Sequence, residues 1–115
     1  MYKFSYEDVL EDLPQEARDR ERRALDYSIE LLKAAEESGV TSVEAAKALA
    51  FANKLWTILI EDLASTENDL PKELRAQIIS IGIWILKEAE RIRNGEVHSF
   101  NGIITVSEAI CEGLK

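Results

Sequence analysis

Apolar positions recur at steps of three and four residues through most of this chain, a spacing that predicts helices. The densest runs lie in its middle. One reads Leu55-Trp56-Thr57-Ile58-Leu59-Ile60-Glu61-Asp62-Leu63, and the other follows Asn68-Asp69-Leu70-Pro71 and extends from Leu74 to Leu86. Along the second, Leu74, Ile78, Ile81, Ile85, Ala89 and Ile92 make one seam, widened by Ile79, Ile83 and Leu86. Each run carries a tryptophan, and a proline-led turn joins them into a predicted helical hairpin. Trp56 and Trp84, both on apolar helices, are expected in the core.

The punctuation places the remaining elements. Pro14 suits the first turn of a helix, where its missing N–H costs little. No breaker follows until Ser38-Gly39, so a helix is predicted over 14–38. Its first half, through Arg23, is almost wholly polar, whereas Leu25, Ile29, Leu32 and Ala35 give its second half an apolar face. Thr41 and Glu44, three apart, read as a capping box for a helix over 42–64. That helix is apolar nearly all round after Ala48, as expected at the centre of a bundle. The hairpin's second helix is predicted over 71–94 and ends at Asn94-Gly95. A shorter one over 101–114, with Asn101 as N-cap, aligns Ile103, Val106, Ile110 and Leu114. Residues 1–13, with Tyr2, Phe4 and Tyr6 alternating with polar residues, form an arm or short helix. The expected fold is all-α: a small antiparallel bundle of three long helices, a short C-terminal helix and an N-terminal arm, in one domain over 1–115.

Charge narrows the choice of partner. The net charge of −8 disfavours nucleic acid, whose phosphates draw affinity from clustered Lys and Arg, and it would be repelled by anionic lipid. The one basic concentration, Arg18, Arg20, Arg22 and Arg23, is interleaved with Glu16, Asp19, Glu21 and Asp26. Such pairs at helical spacing support an exposed helix more readily than a grip on RNA. The opening residues lack the apolar stretch of a signal peptide, and no run approaches the roughly 20 residues that span a bilayer. A single cysteine suits a reducing cytoplasm.

Chemistry is sparse. His98 is the chain's sole histidine and Cys111 its sole cysteine, too few for a zinc site of histidines and thiolates. The carboxylate pairs Glu36-Glu37 and Glu61-Asp62 are neighbours in sequence, so they diverge on a helix instead of forming an acid/base dyad. No phosphate loop, EF-hand loop or nucleophile elbow is present. The expectation is a binding protein without catalytic residues, metal or cofactor. The two central helices carry more apolar surface than a thin bundle hides, which predicts a groove for a partner helix. Tyr2, Phe4, Tyr6, Leu55, Trp56 and Ile60 are its candidate residues.

The ordered set of the Leu55–Leu63 run, Asn68, Leu70-Pro71, Leu74-Arg75-Ala76 and Ile79-Ser80-Ile81-Gly82-Ile83-Trp84 resembles the FlaF family of flagellar biosynthesis regulators. Tyr6, the charged stretch from Arg18 to Arg23 and Phe100-Asn101-Gly102 fit the same pattern, so the resemblance covers nearly the whole chain. It implies a cytoplasmic bacterial protein needed for flagellum assembly. Its implied partners are flagellin, bound as an export chaperone, and FlbT, a repressor of flagellin translation. Two other readings stand beside this one: direct RNA binding to flagellin message through the arginine helix, and a homo-oligomeric structural module that covers its own groove.

Overall fold

A computed structural model describes the backbone of residues 14–68 and 70–113, with side chains from Asp19 onward. The predicted arm, with Tyr2, Phe4 and Tyr6, lies outside the described residues, as does Leu114. The described chain is all-helical, and its four helices gather into a small bundle: α1 (Pro14–Ser38), α2 (Val43–Ala64), α3 (Lys72–Arg93) and α4 (Asn101–Gly113).

Helix α2 sits at the centre. It packs along α1 on one side and α3 on the other, while α4 lies mainly on α1 and only grazes α3. Short turns reverse the direction at each step. Glu36 near the end of α1 meets Phe100 at the start of α4, and Cys111 near the end of α4 returns to Asp26. These two contacts make α1 and α4 antiparallel. The core is where the apolar faces converge: Leu25 and Leu32 from α1, Trp56 from α2, Ile85 and Ile92 from α3, and Ile103 from α4 are all nearly inaccessible. Phe100, just ahead of α4, is fully buried and closes one end.

Gly82 decides how closely α2 and α3 approach. A methyl group at that position would lie 2.7 Å from Trp56 Cε3 and 3.0 Å from the Ile60 side chain. The missing side chain on α3 is therefore what admits the indole of α2 between the helices. A tryptophan and a glycine on facing helices act here as knob and hole.

The helix ends explain two differences from the sequence reading. The N-cap of α2 is Ser42, not Thr41: its Oγ accepts from the Ala45 N–H at 3.0 Å and donates to the Gly39 carbonyl at 2.7 Å. Ser42 stands three residues before Ala45, so its hydroxyl satisfies the third N–H of the helix, just ahead of the first intrahelical bond from Ala46, and the expected Thr41–Glu44 capping box does not form. At α4, Asn101 is already helical. The exposed N–H groups are satisfied from outside: the Phe100 N–H donates to Glu36 Oε1 at 2.6 Å, and the Asn101 N–H donates to Ser99 Oγ at 3.1 Å. A carboxylate beside a helix N-terminus also meets the positive end of its dipole. The cap of α4 is thus supplied by α1, from a residue 64 positions away.

Helix α3 ends as the sequence suggests. Gly95 adopts φ +81, its N–H bonds to the Ile92 carbonyl, and the Glu96 N–H reaches back to Arg91, the bond pattern of a Schellman stop.

The α2–α3 turn is held by Arg75. Its guanidinium donates to the carbonyls of Leu63, Ser65 and Leu70 at 3.1–3.2 Å. A cation is thereby fixed at the negative end of α2, on acceptors the helix cannot satisfy itself. Asn68 adds a second clasp by donating to Asp62 Oδ2 at 3.1 Å and accepting from the Leu70 N–H at 3.0 Å. Arg75→Ala is expected to lower stability by about 1.5–3 kcal/mol, the range for hydrogen bonds to a charged group. Arg75→Lys should recover less than half of that loss, because an ammonium lacks the planar fork. Urea unfolding of the two variants checks both.

Candidate partner-binding surface

The candidate groove residues within the described chain, Leu55, Trp56 and Ile60, all lie on α2. Leu55 and Trp56 face inward, at 6% and 1% exposure, where they pack the core. Ile60 is half-buried against Gly82 at the α2–α3 seam. Most of the apolar surface that remains open on the hairpin belongs to α3, where Leu74, Ile83 and Trp84 are each about 41–42% exposed; α2 adds Val43, 69% exposed at its first residue.

Trp84 is therefore not a core residue, in contrast to the expectation from its apolar helix. The reason is rotational. Successive helical residues point about 100° apart, and the seam of α3 through Ile78, Gly82, Ile85 and Ala89 is aimed at α2 and the core. Trp84 stands on one flank of that seam, in line with Gln77 and Ile81, and Ile83 stands on the other, in line with Ile79. On its flank Trp84 leans toward α4, its Cη2 3.5 Å from where a Gly102 Cβ would sit. Both flanks carry half-buried isoleucines, Ile79 and Ile81, which join the exposed side chains to the core beneath. Exposed large apolar residues concentrated on one helix mark an interaction surface more often than scattered ones do.

Around this face the charges are mixed. Lys72 and Glu73 stand near its start and Lys87 near its end, all exposed. Glu88 pairs with Arg91 at 3.0 Å and Glu90 with Arg93 at 2.6 Å, so the last turns of α3 carry ion pairs, not a field of one sign. A second, smaller apolar exposure lies across α1 and α2, where Tyr27 meets Phe51 edge-to-face at 5.0 Å.

The arginine helix does not present a solvated basic face. Arg20 and Arg22 are half-buried, and Arg22 Nη2 lies 3.5 Å from Asp19 Oδ1; only Arg23 of the three described is exposed. Cys111 and His98 do not meet: the thiol is buried 3.0 Å from Asp26 Oδ1, whereas His98 is exposed in the α3–α4 connection. Among the described residues, no three His, Cys, Asp or Glu side chains gather where they could hold a metal ion, and no helix is long and apolar enough to cross a membrane.

The described chain is thus a small all-helical bundle organised around the α2–α3 hairpin, with apolar side chains left exposed on α3. A family model described as flagellar protein FlaF matches residues 2–114, and the chain belongs to that family. No curated protein and no solved structure matches the chain.

Proposed function

We propose that this protein binds flagellin in the bacterial cytoplasm as an export chaperone and regulates flagellin production together with FlbT, by binding and not by catalysis. Membership of a flagellar protein family supports the setting. The observation that carries the mechanism is the outward apolar surface of α3, where Ile83 and Trp84 stand exposed at successive positions on the two flanks, with Leu74 exposed near the helix's start.

Such a face suits an amphipathic helix laid along it, with anchors spaced three and four residues apart. A flagellin end that is disordered before assembly would fold on contact, and the ordering cost keeps the complex reversible, as export requires. Trp84 would serve as the anchor, since a large exposed indole supplies most contact area for the least loss of side-chain freedom.

The test is calorimetric titration with the cognate flagellin, full-length and truncated at either end. Saturable binding lost with one truncation is expected, and it names the end recognised. Trp84→Glu should weaken that binding by more than about tenfold, as for loss of a hot-spot aromatic, while leaving the unfolding midpoint nearly unchanged. Full affinity in Trp84→Glu would remove α3 as the docking face. Absence of flagellin binding, with FlbT found to bind instead, would make the protein a regulator of the regulator.

A further inference from the structure

We propose that α4 is a lid, opening as one unit from a body of α1, α2 and α3 that stays folded. The inference is independent of what docks on α3.

Three features of the α4 interface carry it. First, α4 is held almost entirely by α1, whereas α2 is packed along both of its neighbours. A helix of 13 residues is too short to persist alone in water, so α4 is helical because it is docked. Its N-terminal cap makes the same point, because the Glu36 carboxylate that accepts from the Phe100 N–H belongs to α1. Undocking removes the cap and the packing together, so opening and unwinding are one event.

Second, the fit between α1 and α4 is incomplete. An open cleft of about 560 Å³ runs between them, floored by Ile29 and Cys111. Asp26, Glu30, Glu108 and Glu112 line it with one ammonium, that of Lys33, which pairs with Glu108 at 3.0 Å. The Cys111 thiol crosses the same seam, donating to Asp26 Oδ1 at 3.0 Å. Third, the core beneath is not fully satisfied. Ser107 on α4 and Ser28 on α1 are buried at 0% and 1% exposure, and neither hydroxyl has a hydrogen-bond partner. A buried hydroxyl that regains water on opening favours the open form.

Elements of this kind, with few partners and unsatisfied polar groups, open below the global unfolding free energy. Opening brings Ile29 and the adjoining core side chains of α1 to solvent, a second apolar surface that exists only transiently.

Cys111 provides the readout. It is the only cysteine, buried at 5% in the C-terminal half of α4, opposite the end that Glu36 caps. In full-length protein, labelling by 5,5′-dithiobis(2-nitrobenzoate) is expected to proceed faster than global unfolding permits, with a urea dependence well below that of global unfolding but above zero, since undocking exposes the α1–α4 interface. Glu36→Ala should raise that rate about fivefold to tenfold, the scale of a lost N-cap. Ser107→Ala, which removes an unpartnered hydroxyl, should slow it. Labelling that follows the urea dependence of global unfolding overturns the proposal. So does fast labelling that Glu36→Ala leaves unchanged, since only the last turn would then be fraying. If Glu36→Ala fails to fold, the wild-type urea dependence and Ser107→Ala decide the question.

Discussion

Trp56→Ala is expected to lower the unfolding free energy by about 3–5 kcal/mol, the range for removing a buried aromatic and leaving a cavity. That is a large share of the roughly 5–15 kcal/mol available to a domain of ordinary stability. The indole is 1% exposed at the centre of the bundle, on the helix that packs against both α1 and α3. On one side the ring lies against α3 at Gly82, where there is no side chain to move into the space it leaves. Urea unfolding measures the loss. The contrast that fixes its cause is Trp84→Ala: that ring is 41% exposed, so its removal should cost less than about 1 kcal/mol. Equal losses from the two tryptophans would show that burial is not what separates them.

The second large effect is a reversal of sign. In a helix interior, glycine to alanine ordinarily stabilises by about 0.8–1.0 kcal/mol. Gly82→Ala should instead destabilise by about 1–3 kcal/mol, as overpacking does, since the new methyl would meet the Trp56 ring at 2.7 Å. The ring atom it meets is part of a rigid bicycle wedged between two helices, so relief requires the helices to separate. Gly102 is the control. There the added Cβ makes an ordinary 3.5 Å contact with Trp84, and alanine should follow the usual trend. A double-mutant cycle with Trp56→Phe completes the argument. The smaller ring makes room for the methyl, and the pair should cost less together than the sum of the two. Strict additivity would disconnect Gly82 from Trp56.

Much of the helical pattern was legible because it rests on periodicity. Of the seam Leu74, Ile78, Ile81, Ile85, Ala89 and Ile92, the last three are buried and Ile78 and Ile81 pack half-buried against the core, while Leu74, in the first turn of α3, stays 41% exposed; Gly95 provided the stop at the end of α3. What the sequence hid was of two kinds. Caps are decided by hydrogen bonds a single residue wide, so Ser42 took the place given to Thr41. The α4 cap could not be read at all, because its acceptor, Glu36, lies on another helix. The second kind is rotation about a helix axis. Trp56 and Trp84 have similarly apolar neighbours, yet one is sealed and the other open. On α2, which packs on two sides, nearly every apolar direction is covered. On α3, which packs fully on one side only, the flanks stay bare. The count of partner helices, not the local run of residues, decides the outcome. The glycine opposite Trp56 was equally silent in sequence, since its value lies in the side chain it lacks.

The unequal pair of tryptophans also gives the molecule two optical reporters that answer different questions. The sealed indole of Trp56 should emit at shorter wavelength and resist quenching by iodide or acrylamide, changing only when the bundle itself comes apart. The open indole of Trp84 should emit further to the red and be readily quenched, until something settles on α3 and shields it. A ligand that protects only the quenchable fraction has therefore docked without disturbing the core. One that exposes the resistant fraction has bound by prising the helices apart. The unmodified protein can distinguish these two modes of binding in a single titration.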